Sequence, residues 1–147
     1  MNFIHRTPPS SQGVRNPLPP VLPARAGLGI SACYRTARVG GDFYDFVEVN
    51  ETRVLFILLD IAGKKEEALN IAAAAQAVLR ERGQELLGGE DVNVADALTD
   101  LLLEINRTII AAAEGVRCAP AFLGCYEWEY GLMTCAWTSA GPRLSRT

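Results

Sequence analysis

The feature that most restricts the fold is an apolar run that ends abruptly in an acidic residue. Val54 to Leu59 is continuously apolar and is followed directly by Asp60. A run of this length, rich in β-branched and aromatic side chains, is typical of a strand buried on both faces. The sequence therefore predicts a buried strand that carries a carboxylate at its C-terminal edge.

Two helical segments follow this strand. The first is predicted over Lys65 to Leu87, contains four consecutive alanines at Ala72 to Ala75, and is stopped by a pair of glycines. The second is predicted to begin at Asn93, a good N-cap residue. Its apolar residues form one stripe, which we expect to face the core. The stripe consists of Leu98, Leu101, Leu102, Ile105, Ile109 and Ala112.

Strand-like patterns lie on both sides of the helices. Leu28 to Tyr34 and Phe43 to Val49 precede the apolar run, whereas Ala121 to Trp128 and Leu132 to Ser139 follow the second helix and flank a predicted turn. The order of strands, two long helices and strands predicts an α+β fold, with an antiparallel sheet or sandwich flanked by the two helices.

The first 26 residues have a different composition from the rest. They contain most of the eight prolines, a mixture that cannot hold a helix and is expected to bury little surface. We therefore divide the chain into a proline-rich leader or linker, residues 1–26, and one domain, residues 27–147. The length suits a single domain.

Charge and composition exclude several classes of function. The net charge of -3 and the lack of a basic cluster argue against nucleic acid as a partner. The longest apolar run is far too short to span a bilayer, so we expect no membrane association and a cytoplasmic location. His5, the one histidine, lies in the leader, which argues against histidine-based catalysis and histidine-rich zinc sites. The four cysteines lack C-x-x-C spacing and are expected to stay thiols, and three of them alternate with apolar residues in strand-like stretches, where we expect cysteine to fill the core as a small hydrophobic residue. They are Cys33, Cys118, Cys125 and Cys135.

The positions of Asp42 and Asp60 in the sequence indicate a candidate metal site. Each is expected at the end of a hydrophobic strand, where two converging carboxylates would repel each other unless a cation neutralised them. An oxygen-preferring divalent ion such as Mg²⁺ or Mn²⁺ fits best, and it could supply hydroxide for attack on a phosphate ester. Alternatively, Asp42 caps a turn after two glycines and Asp60 ends its strand in solvent.

Two ordered motifs resemble a known family. The segment Ala37–Phe46, which reads Ala-Arg-Val-Gly-Gly-Asp-Phe-Tyr-Asp-Phe, is similar to the opening signature of SpoIIE/RsbU-type phosphatase domains. Asp60–Lys64 resembles that family's second block, Asp-Val-Ser-Gly-Lys-Gly, and stands at the family's distance from the first. The resemblance covers roughly residues 19–141. It continues through the alanine-rich helix and then Ile105–Arg107, Ala121–Gly124 and Ser139–Gly141.

This resemblance implies a PPM-type, metal-dependent protein serine/threonine phosphatase in bacterial signalling, with an αββα fold that is incomplete here. Asp42 and Asp60 would be catalytic metal ligands in a Mn²⁺ or Mg²⁺ two-metal centre, with Asp60 bridging the ions and the Ile61 carbonyl completing one coordination shell. Asp45 would lie behind these ligands. The implied partner is a phosphoprotein substrate, such as an anti-anti-sigma-like protein.

The sequence also departs from the family pattern. Lys65 replaces the last glycine of the second block, Pro120 stands at a strand start, and the family's later Thr-Asp-Gly block and further aspartate are absent. We therefore expect a metal centre with too few ligands, weak or no phosphatase activity, and an open sheet edge that could pair two copies as a homodimer. The alternative is a catalytically dead module of the same fold that binds phosphoproteins.

Two other motif interpretations fail at required positions. A diguanylate cyclase motif would need glutamate where Phe43 stands. A phosphate-binding P-loop at Gly63-Lys64 would need Ser or Thr at Lys65 and a glycine at Leu58.

Overall fold

The computed structural model describes residues 15–33, 41–113 and 119–138, together with the backbone of residues 144–145. Several sequence predictions concern residues outside these ranges. They are the predictions for His5, Cys118, the first four residues of the Ala37–Phe46 motif, and Ser139–Gly141.

The described chain forms one antiparallel sheet with two helices packed on one of its faces. The elements are β1 (Gly41–Glu48), β2 (Arg53–Ile61), α1 (Lys65–Leu87), α2 (Val94–Ala112), β3 (Ala121–Glu127), β4 (Leu132–Thr138) and β5 (Leu144–Ser145). The strands lie in the order β1-β2-β3-β4-β5, and each neighbouring pair is antiparallel. The predicted α+β class with an antiparallel sheet and two long helices is confirmed. No helix within the described residues is long and apolar enough to cross a membrane.

The hairpin between β1 and β2 follows from its turn chemistry. The Asn50 side-chain oxygen accepts hydrogen bonds from the Thr52 backbone amide at 2.9 Å and from the Thr52 hydroxyl at 3.2 Å. Such local bonds stabilise a turn in place of strand pairing. The Val49 amide donates to the Arg53 carbonyl at 3.1 Å and closes the loop. The hairpin aligns β2 with β1, the strand that contains Asp42.

The helices begin and end close to the predicted positions. Helix α1 occupies the predicted range, and the Asn93 side chain caps α2 by accepting a hydrogen bond from the Asp96 amide at 3.2 Å. Five of the six predicted stripe residues of α2 are buried. Ala112, the sixth, is exposed because it is the last residue of the helix. Helix α2 lies against β3 and β4, whereas α1 lies against β1 and β2. The buried stripe of α2 belongs to the same hydrophobic core as alternate residues of β2, namely Leu55, Ile57, Leu59 and Ile61.

The strand predicted over Leu28 to Tyr34 is wrong for its described part. Residues 29–33 have no regular structure, and Leu28 only forms an isolated bridge with Arg25. The cause is a tight turn, in which the Leu28 amide donates to the Arg25 carbonyl at 3.1 Å and Gly27 takes φ 81°. A glycine with positive φ at the third position is the signature of a type II turn.

Replacing Gly88 by alanine should destabilise the domain. A Cβ at Gly88 would lie 2.5 Å from the Gln84 carbonyl oxygen and 3.3 Å from the Val49 carbonyl oxygen, both of them backbone atoms. Because neither can yield as a side chain would, we expect Gly88→Ala to lower the free energy of unfolding by about 1–3 kcal/mol. Urea unfolding measures this. Gly89→Ala is the control, since its Cβ would meet only a Val92 methyl group at 3.4 Å. Equal effects of the two substitutions would contradict the prediction.

Candidate functional site

Asp42 and Asp60 face each other across β1 and β2. They are direct partners in the register of the two strands, and both are exposed. The Asp60 amide donates to the Pro120 carbonyl at 3.0 Å, away from β1. The Asp42–Asp60 pair is therefore a non-hydrogen-bonded pair, the kind whose Cα atoms approach most closely, at roughly 4.5 Å. The hairpin thus brings the two carboxylates together on the sheet face that the helices leave free, which we call the open face.

Two like charges directly opposite each other destabilise a sheet, typically by about 0.2–1 kcal/mol. A divalent cation between Asp42 and Asp60 would reverse this effect. Mg²⁺ commonly binds one or two carboxylates and keeps several waters. The described residues contain no group of three or more histidine, cysteine, aspartate or glutamate side chains that could hold a metal. The two carboxylates are themselves a donor set that fits one such ion with its waters.

Ile61 takes part in this arrangement through its backbone. It lies opposite Gly41, one position beyond the aspartate pair, and its side chain is buried on the helix side of the sheet. Hydrogen-bonded and non-hydrogen-bonded pairs alternate along an antiparallel ladder, so the Ile61 carbonyl is directed toward Gly41. A carbonyl oxygen has a second lone pair. The role of Ile61 as a ligand stays a prediction.

Asp45 does not lie behind the aspartate pair, and that expectation is wrong. Asp45 is fully buried on the helix side of the sheet, where both of its carboxylate oxygens accept hydrogen bonds from Arg80 at 2.9 and 3.1 Å. Residues three apart in a strand point to opposite faces. Asp45 therefore joins β1 to α1 and is separated from Asp42 and Asp60 by the sheet.

The connection after Asp60 leads directly into α1. Gly63 takes φ 135°, and Lys64 occupies the N-cap position without a side-chain capping bond. Lys64 and Lys65 are both exposed, as are the two glutamates that follow them. The two lysines therefore belong to a solvated helix start.

An aromatic row crosses the open face beside the aspartates. The rings of Tyr44, Phe46, Phe56 and Phe122 follow one another at centroid distances of 6.1, 6.2 and 6.0 Å. Leu58, which lies between this row and Asp60, is 52% exposed. Of the three aromatic residues of β1, Phe43 packs against the core, whereas Tyr44 and Phe46 are half-buried on the open face.

A groove of about 310 Å³ adjoins Asp42. One wall consists of Asp42, Phe43 and Tyr44 in β1, and the other is residues 17–20 of the leader. Most described residues of the leader are exposed, but Pro23 is buried and Leu18 is hydrogen-bonded to Gln76 of α1. Gln76 was missed in the sequence. Its signal was a polar residue within the buried stripe of α1, which required a polar partner.

The described cysteines differ in their surroundings. Cys125 is buried, as expected of a small hydrophobic residue, and Cys135 is half-buried. Cys33 is exposed, so the expectation of core packing is wrong for it. Burial, together with the neighbouring Glu127 carboxylate, raises the pKa of the Cys125 thiol to about 11.

Thiol labelling should therefore distinguish these cysteines. At pH 8 we expect Cys33 to react with a maleimide and Cys125 to stay unmodified in the folded chain, because a raised pKa leaves little thiolate. Peptide mass mapping after short labelling measures this, and labelling in urea provides the control. Modification of both residues at one rate would contradict the assigned burial.

Comparison with known proteins found no match: no family model, no curated protein and no solved structure is similar to this chain at a significant level.

Proposed function

We propose that this chain carries a metal-dependent phosphoserine/phosphothreonine phosphatase domain of the PPM, SpoIIE-like type. The observation that supports it is the register that sets Asp42 opposite Asp60 on the open face. A pairing of like charges in a sheet is unfavourable, and a bound cation gives it a physical reason. The finer αββα fold belongs to the same proposal, since a second sheet would cover the aromatic row.

In this proposal Asp42 and Asp60 hold Mn²⁺ or Mg²⁺, and the Ile61 carbonyl adds a third oxygen. The metal would supply a bound water of lowered pKa for attack on a phosphate ester. Asp42 and Asp60 would hold the ion beside the groove that Asp42 lines. The proposed substrate is a cytoplasmic phosphoprotein of bacterial signalling, such as an anti-anti-sigma-like protein.

A second candidate is a binding module of the same fold without catalysis. The half-exposed Leu58 and the aromatic row beside Asp60 favour it, because exposed apolar surface next to polar groups is typical of interaction sites. In that case the aspartates would contribute to docking alone.

A phosphatase assay distinguishes the two candidates. The full chain is incubated with a phosphoserine peptide and Mn²⁺, and released phosphate is measured for the wild type, Asp60→Asn and Glu51→Gln. Glu51 is an exposed carboxylate in the hairpin loop and serves as the matched control. Mn²⁺-dependent turnover that Asp60→Asn abolishes and Glu51→Gln preserves supports the enzyme. Mn²⁺ binding without turnover favours the binding module.

A further inference from the structure

The leader contains a segment whose burial repeats every third residue. Pro17 and Pro20 are half-buried and Pro23 is buried, whereas all residues between them are exposed. Leu18 and Val21, for example, are 60% and 74% exposed. Polyproline II has three residues per turn, so one face of such a helix would contain these three prolines. We call residues 17–23 the proline strap.

Gln76 of α1 holds the strap through the backbone. The Leu18 amide donates to Gln76 Oε1 at 2.7 Å, and Gln76 Nε2 donates to the Leu18 carbonyl at 2.8 Å. Gln76 is only 3% exposed. One side-chain amide thus satisfies both the donor and the acceptor of a single strap residue. Because proline has no amide hydrogen, this position requires a residue other than proline.

The spacing of contacts along α1 agrees with an extended strap. The Arg15 amide donates to Asn70 Oδ1 at 2.7 Å. Arg15 lies three residues before Leu18, and Asn70 lies six residues before Gln76. Three residues of polyproline II advance roughly 9 Å, and six residues of an α-helix also advance roughly 9 Å. The extended segment and α1 therefore advance by equal lengths between the two contacts.

Both ends of the strap are fixed on β1 or its neighbours. At the start, residues 17–20 form the groove wall that faces Asp42 and Tyr44. Beyond the other end, the Arg25 side chain lies 3.4 Å from the Glu48 carboxylate, and its guanidinium carbon lies 4.5 Å from the centroid of the Trp128 ring. A proline-rich segment thus lies along the seam between α1 and β1, where the buried Gln76 amide holds it and Tyr44 faces it across the groove.

We infer that the seam between α1 and β1 is a recognition site for proline-rich peptides in the polyproline II conformation, filled here by the chain's own residues 17–23. Aromatic side chains and hydrogen-bonding groups that read a preformed polyproline II helix are a general mode of peptide recognition. The recognised pattern is Pro-x-Pro-Pro-x-x-Pro, in which the first x is a residue with a free amide. A segment of this pattern from another protein would compete with the strap.

Peptide binding to the full chain tests this inference. The probe is a fluorescein-labelled peptide of residues 15–25, and fluorescence anisotropy measures its binding. The tethered strap competes at an effective concentration of order mM, so the wild type should bind the probe weakly. Pro17→Ser/Pro20→Ser/Pro23→Ser removes the inward prolines and should tighten binding at least tenfold. Val21→Ser/Leu22→Ser changes only exposed side chains that line neither the groove nor the Gln76 contact, and it should behave like the wild type. Equal binding to all three chains would overturn the inference.

A second arm changes the probe. A probe in which proline replaces Leu18 cannot donate to Gln76, so it should bind the triple-proline variant at least tenfold more weakly than the original probe. Adding Gln76→Leu to that variant should remove this difference between the two probes, with urea unfolding used to check that the chain is folded. Equal affinity of the two probes before Gln76 is changed would refute recognition through Gln76.

Discussion

Replacing Arg53 by methionine is expected to lower the free energy of unfolding by about 3–5 kcal/mol, the usual effect of breaking a buried ion pair from one side. Arg53 and Glu127 are partners in the register of β2 and β3, and Arg53 Nε lies 3.0 Å from Glu127 Oε1. Their side chains are 8% and 10% exposed. The substitution leaves the Glu127 carboxylate buried without its cation.

Arg53 also secures the end of α1. Its guanidinium donates to the carbonyl oxygens of Leu87 at 3.0 Å, of Gly89, and of Glu90 at 3.3 Å. The last carbonyls of a helix have no partners within the helix, so the bond to Leu87 satisfies one of them, and the other two bonds hold the loop that follows Gly88. Loss of Arg53 would therefore affect the sheet and the helix end together.

Urea unfolding followed by circular dichroism measures the effect. Arg82→Met is the control, because Arg82 makes its ion pairs with Glu85 and Glu104 on the surface, and we expect a much smaller change. The double variant Arg53→Met/Glu127→Leu should recover part of the loss, since it no longer buries an unpaired charge. An Arg53→Met chain as stable as the Arg82→Met chain would refute this role.

The elements that could be predicted from the sequence are those specified by local patterns. The limits of α1 follow from the helical pattern and the glycine pair after Leu87, and the start of α2 follows from the capping bond of Asn93. The hairpin follows from Asn50, and with it the approach of Asp42 to Asp60. Each of these depends on residues close together in the chain.

The features that were missed depend on distant residues or on the face of a strand. Gln76 contacts Leu18, which lies 58 residues away, and no local pattern indicates that contact. Leu28 and Ile30 alternate with smaller residues as in a strand, but the chain forms a turn at Gly27 instead. Asp45 was placed by its closeness in sequence to Asp42, although a spacing of three in a strand requires the opposite face.

Divalent metal should reverse the order of stability between the wild type and Asp60→Asn. In EDTA, Asp60→Asn removes the repulsion from Asp42. We therefore expect the free energy of unfolding of this exposed-site variant to exceed that of the wild type by at most about 0.2–1 kcal/mol, which raises its urea midpoint slightly. At a free Mn²⁺ concentration one hundred times its dissociation constant, the wild type should gain about 2.7 kcal/mol. Asp60→Asn should gain much less, because one carboxylate remains.

Glu51→Gln is the matched control for this reversal, and it should follow the wild type in both buffers. A gain from Mn²⁺ that is the same in the wild type and in Asp60→Asn would place the ion elsewhere on the chain.

Manganese binding is the most direct test of the central claim that Asp42 and Asp60 hold a divalent ion together. Electron paramagnetic resonance counts free Mn²⁺ during titration of the full chain. We expect one bound ion per chain in the wild type and in Glu51→Gln, and loss of that ion in both Asp42→Asn and Asp60→Asn. Retention of the same bound ion in either aspartate variant, or no bound ion in the wild type, would contradict the account.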